Sequence, residues 1–141
     1  MQVKINLLHV ITGLGCGGAE KMVYQLCKHS DKTQFNISVV SIDHTDYFLN
    51  RLKKMKVKVL KLGLKKNPLD FLNGIISLNK VIRKHRIQII HAHLFHSMIF
   101  SCILKLLNPQ VKIIWTAHSS KMISSIRLLI VFFFKRFRNH D

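Results

Sequence analysis

The chain has 141 residues, 48% hydrophobic and 21% charged, which is enough for one domain with a real core and too apolar for a disordered chain. Lys and Arg number 23 against 6 acids, a formal net charge of +17, and such an excess favours polyanionic partners in general. The cations are scattered and mostly Lys, with no basic block interleaved with aromatic residues, which argues against a nucleic-acid partner.

In chain order, strand and helix signals alternate. An apolar run at 5–11 ends in glycines and predicts the first strand; β-branched and apolar residues predict strands at 35–42, 57–62, 87–92 and 111–117. Helical periodicity predicts helices at 20–28, 47–55, 69–84 and 95–107. The third of these carries its own punctuation: Asn67 to cap, Pro68 for the first helical position and Asp70 in the first turn, with Phe71, Ile75, Leu78 and Ile82 as one apolar face. The fourth stops at Asn108-Pro109. Five strands alternating with helices imply right-handed crossovers and an α/β fold, a Rossmann-like open parallel sheet with flanking helices.

Cys16, Cys27 and Cys102 are odd in number and lack metal-like spacing, so neither a disulfide framework nor a zinc site is expected, and a cytoplasmic location fits. The first residues hold too few apolar positions, and no cleavage site, for a signal peptide. The longest apolar run, at 128–134, is seven residues flanked by Arg127, Lys135 and Arg136, far short of the roughly 18 a membrane span needs. The segment 122–138 reads either as a peripheral anchor on an anionic membrane surface or as a core helix.

In open parallel sheets the ligand crevice lies beyond the carboxyl ends of the strands. That rule brings together the residues after strand one, those after strand four (His91, His93 and His96) and those after strand five (Thr116, His118 and Ser119). Between the first strand and first helix, Gly13-x-Gly15-x-x-Gly18 has the spacing of a dinucleotide-binding turn, and Asp43 follows the second strand where a ribose-binding acid would stand. The same stretch also contains Gly17-Gly18-Ala19-Glu20, a turn whose glycines let backbone amides approach an anion and are expected to adopt positive φ. His91 and His93 alternate onto one side of a strand. They read as a metal pair, as hydrogen-bonded core or edge histidines, or as ligand-facing groups. A carboxylate to complete a metal site is scarce, since Glu20 is the sole glutamate.

Three segments in order resemble the N-terminal domain of the GT4 glycosyltransferases, which have the GT-B fold. They are Leu8-His9-Val10-Ile11 with Gly15-Cys16-Gly17-Gly18-Ala19-Glu20; Ile89-Ile90-His91-Ala92-His93 with its trailing helix; and the strand at 111–117 with His118. The resemblance covers nearly the whole chain and makes the GxGxxG match incidental. It implies an acceptor-side domain that covers the diphosphate of a nucleotide-sugar donor held by a second domain. On these residues, Gly15, Cys16, Gly17 and Gly18 would face the donor diphosphate. His118 would be the catalytic-side residue by the transferred sugar, with His91, His93 and Thr116 on the acceptor or sugar side. Neither a metal nor a cofactor is implied, the nucleotide sugar being a substrate and the acceptor a glycan or lipid-linked molecule of bacterial envelope assembly. The family's donor domain carries a spaced pair of glutamates that this chain lacks. The expectation is therefore a domain 1–141, incomplete at its C-terminal end, inactive by itself and served by a donor domain elsewhere, in a separate subunit or a longer chain. A small dinucleotide-binding module and a non-catalytic binding partner are the alternatives.

Overall fold

The computed structural model describes residues 3–65 and 67–118; Ser119 and the segment 122–138 lie outside the described residues. Five strands, β1 (Ile5–Ile11), β2 (Phe35–Ser41), β3 (Lys58–Lys61), β4 (Ile89–His93) and β5 (Lys112–Thr116), alternate with α1 (Gly18–His29), α2 (Leu49–Lys54), α3 (Pro68–Lys84) and α4 (Phe95–Leu107). All pair in parallel in the order β3-β2-β1-β4-β5. The chain winds outward from β1 to β3 and then crosses back to lay β4 on the other side of β1. The switch point of this sheet is therefore the crevice between β1 and β4.

Alternation along β1 sorts the core into two layers. Leu8 and Val10 point to one face, where α3 and α4 cover them with Ile75, Leu78, Ile82, Phe100 and Leu104. Ile11 points to the other, where α1 and α2 bring Ala19, Val23, Cys27 and Leu52. Each fully buried aliphatic side chain of these clusters contributes roughly 1.5–3 kcal/mol of burial.

Local chemistry explains the helix ends. Asn67 Oδ1 accepts from the Asp70 amide at 2.8 Å, and Asp70 Oδ2 accepts from Asn67 Nδ2 and the Lys65 amide, so donors otherwise orphaned at this N-terminus are satisfied reciprocally. At the end of α4, Asn108 Nδ2 donates to Leu104 O and to Asn79 Oδ1, tying α4 to α3. One expected core position moves. Phe71 is 38% exposed and rests its ring on Phe100, while Gly74 takes the buried place one turn on. The reason is space, because a Cβ on Gly74 would meet Leu64 Cδ1 and, at 2.9 Å, Phe100 Cε1. Among the described residues no helix is long and apolar enough to cross a membrane.

Candidate functional site

The glycine turn leaves β1 at Ile11 and enters α1 at Gly18. Gly13 is buried, and a Cβ there would run into Thr45 Oγ1 and the Asp43 carboxylate. Thr45 in turn accepts the Leu14 amide at 2.9 Å, while Asp43 Oδ1 accepts from the Thr45 amide and hydroxyl at 2.9 and 2.7 Å. Asp43 is thus the anchor of an Asx-type turn that props the loop. Its Oδ1 is committed inside the protein rather than offered to a ribose, and Gly13 is a packing glycine.

The exposed part of the turn is Cys16, Gly17 and Gly18, with Gly15 half-buried behind them. Gly17 is the N-cap of α1, with φ −110°, and Glu20 stands three residues on with its carboxylate against Gly17. Around Gly18 a Cβ would meet nothing within 4 Å. The expected positive φ is absent: Gly63 is the one glycine among the described residues with it. The turn's glycines leave the first turn of α1 bare of side chains at Gly18, and a helix N-terminus of this kind favours negative charge, here the Glu20 carboxylate. A cleft of about 540 Å³ opens on these residues and carries Lys21 and Arg51 on its walls, with the Arg51 guanidinium 4.8 Å from the Tyr47 ring centroid. Two cations and a helix N-terminus suit a diphosphate.

The second part of the site stands on β1, β4 and the end of β5. Register places His9 beside His91, Ile11 beside His93, and His93 beside Thr116, so the three histidines share the sheet face on which α1 and α2 lie. His9 Nδ1 and His93 Nε2 are 3.1 Å apart. His93 Nδ1 and His118 Nε2 are 3.2 Å apart, and His91 Nε2 is 2.7 Å from Thr116 Oγ1. The rings of His91 and His93 pack with centroids at 4.1 Å. Burial, with the charge of His91 next, pushes the His9 imidazole down to about 3. For His93 burial again comes first, followed by the neighbouring imidazoles, and the result is about 2. His91 shifts in the same direction for the same reason.

The expected residues His91, His93, Thr116 and His118 are therefore brought together, His91 bonded to Thr116 and His93 to His118, with the rings of the two β4 histidines in contact. His96 is not: it is exposed in the first turn of α4. The turn before it is tight. Leu94 holds φ 70° and ψ 161°, a region nearly reserved for glycine that costs on the order of 1–3 kcal/mol, and its side chain is retained against the cluster containing Ile11, Leu14 and Val23. His9 was given no role by the sequence. Its one signal was a polar residue inside the apolar run of residues 7–11, in phase with Ile11.

Nitrogens of His9, His91 and His93 lie within 4.8 Å of one another, the raw geometry of a histidine cation site. Nδ1 of His9, Nε2 of His91 and both nitrogens of His93 are already engaged in hydrogen bonds, however, and no carboxylate among the described residues belongs to the group. Its chemistry is that of neutral imidazoles.

An open parallel sheet with a glycine turn after its first strand, and imidazoles at the ends of the neighbouring strands, defines a Rossmann-like domain. The chain belongs to glycosyltransferase family 4, whose family model, Glycosyltransferase Family 4, matches residues 16–140. No curated protein matches the sequence. Among solved structures, a glycosyltransferase from Rickettsia africae ESF-5 is similar with a TM-score of 0.70 and 18% identity, over 97% of this chain and 34% of that one. The apo form of the lipopolysaccharide outer core galactosyltransferase WaaB gives 0.71 and 12%, over 91% and 37%. MurG of Acinetobacter baumannii gives 0.71 and 8%, over 96% and 40%. At these identities the likeness is one of fold, that of the GT-B glycosyltransferases. The chain spans between a third and two fifths of the length of those proteins.

Proposed function

We propose that this chain is the acceptor-side half of a glycosyltransferase that moves a sugar from a nucleotide-sugar donor to a glycan or lipid-linked acceptor. The donor's diphosphate faces the amides of Gly15, Cys16, Gly17 and Gly18, and the transferred sugar lies by His118, with His91, His93 and Thr116 behind it. The observation that carries this reading is the bare N-terminus of α1: exposed glycines, open space at Gly18 and two cations on one cleft. Fixed amide dipoles and cations stabilise a leaving phosphate without a metal. Most of the donor's contacts belong, on this reading, to a second domain, so the chain alone holds nucleotide weakly and transfers no sugar.

Cys16 offers a direct test, being exposed in the middle of the turn while Cys27 and Cys102 are buried. Burial pushes both inner thiols up to about 12, which keeps them unreactive. A nucleoside diphosphate sugar at millimolar concentration should slow alkylation of Cys16, and sugar transfer should appear only when a donor domain is supplied. Turnover by the purified chain, or NADH binding abolished by Asp43→Ala, would replace this reading.

A further inference from the structure

Three imidazoles stand in series at the switch point: His9, buried on β1; His93, buried at the end of β4; and His118, half-buried two residues beyond β5. A neutral imidazole has one N–H and one lone pair. The contact between His9 Nδ1 and His93 Nε2, and that between His93 Nδ1 and His118 Nε2, each need one proton between two nitrogens. Because His93 takes part in both through opposite ring atoms, the two bonds must run in the same sense. Either each ring donates toward His118, or each donates toward His9. The low proton affinity of His9 and His93, both desolvated, keeps the inner rings neutral and leaves no third arrangement.

The buried end decides between the two. His9 Nε2 is buried and has no hydrogen-bond partner among the described residues. If the series ran inward, His9 would carry its proton there, as an orphaned N–H. If it runs outward, only a lone pair is unused. A buried N–H group without an acceptor is the rarer defect.

We propose that His93, backed by His9, is a positioning residue that fixes His118 as the Nδ1–H tautomer: Nε2 of His118 is consumed as an acceptor, and Nδ1–H is the donor left to face a ligand. The ligand class is an uncharged or anionic oxygen, a sugar hydroxyl or a phosphate oxygen. That last step rests on the function proposed above, whereas the tautomer itself does not. The second histidine of the His91-Ala92-His93 pair thereby sets what His118 can recognise, although it reaches no ligand itself.

The test reads the protons directly. The full chain, labelled with ¹⁵N-histidine and held at roughly pH 8, above the ordinary imidazole range, is examined by long-range ¹H–¹⁵N correlation with no ligand added. The expected pattern is a single Nδ1–H tautomer for His9, His93 and His118. His93→Phe removes the donor to His118 Nε2 and should turn the His118 pattern into a mixture of tautomers. His93→Asn returns an N–H near the Nδ1 position and should restore the single form. A wild-type His118 that is Nε2-protonated or averaged overturns the proposal, and that result stands even if a variant fails to fold. A His118 pattern unmoved by His93→Phe in a folded variant overturns it as well. So does stoichiometric Zn²⁺ that shifts all the rings together, because the nitrogens would then be ligands. Failure of the glycosyltransferase reading would instead appear in the Cys16 protection and transfer assays, with these spectra unchanged.

Discussion

Gly17 and Gly18 are neighbours in sequence and differ in what surrounds them. A Cβ on Gly18 would enter open space, whereas one on Gly17 would press on the Glu20 carboxylate. Gly18→Ala should therefore leave the fold intact or stabilise it, by at most about 1 kcal/mol of helix propensity. In an enzyme completed with its donor domain it should nonetheless lower transfer, because the methyl stands where the diphosphate is proposed to lie. Melting temperature and turnover measured on the same variant check this, and a loss of both together would mean that the position is structural. The histidines carry a second prediction. His9 and His93 are held far below the ordinary value of 6.5, so as pH falls below 6.5 the unfolded chain takes up protons that the folded chain refuses. Stability falls on acidification by up to about 1.4 kcal/mol per pH unit for each group, and is insensitive to both above that pH. Melting temperatures across a buffer series should show this slope, and His9→Phe should reduce it by about one proton.

Among the elements, α3 shows how local chemistry and packing divide the work. Its start is set by the Asn67–Asp70 exchange, and Asn67→Ala should cost about 1 kcal/mol in chemical denaturation. Its middle is set by α4. Gly74→Ala gains helix propensity of up to about 1 kcal/mol, but its methyl meets the buried Phe100 ring and Leu64. Overpacking of this kind costs about 1–3 kcal/mol, so the expected net effect is destabilisation, read in the same experiment. A Gly74→Ala protein as stable as wild type would mean that α3 slides outward without loss. The turn into α4 completes this layer. The left-handed Leu94 ends β4 directly after His93, which keeps the imidazole at the crevice and sends His96 to solvent.

For the whole molecule the charge is the dominant fact, +17 in 141 residues. An acceptor domain that works on a lipid-linked sugar must reach the bilayer, and the proposal that it does so electrostatically has a simple consequence. The chain should sediment with anionic but not neutral vesicles, and salt should release it. Equal binding to neutral vesicles would point instead to apolar attraction, and the electrostatic proposal would fall.

The amino-acid sequence determined the element order, the parallel α/β class and the resemblance to the family, because these rest on short-range signals. Apolar runs, periodicity and caps such as Asn67-Pro68 and Asn108-Pro109 act within a few residues; β1 at Ile5–Ile11 and α4 at Phe95–Leu107 coincide with their predicted bounds. It also named His91, His93, Thr116 and His118, since strand ends can be read from where the apolar runs stop. Only the tertiary structure decided that β4 returns to the side of β1, which makes His9 the neighbour of His91 and completes the imidazole series across more than 80 residues of sequence. It likewise turned Asp43 into the prop of the glycine turn and Phe71 into an edge residue. These outcomes depend on which strands pair, in what register, and on which side chain already fills a given space. That information belongs to contacts between distant segments, and no local pattern in the chain carries it.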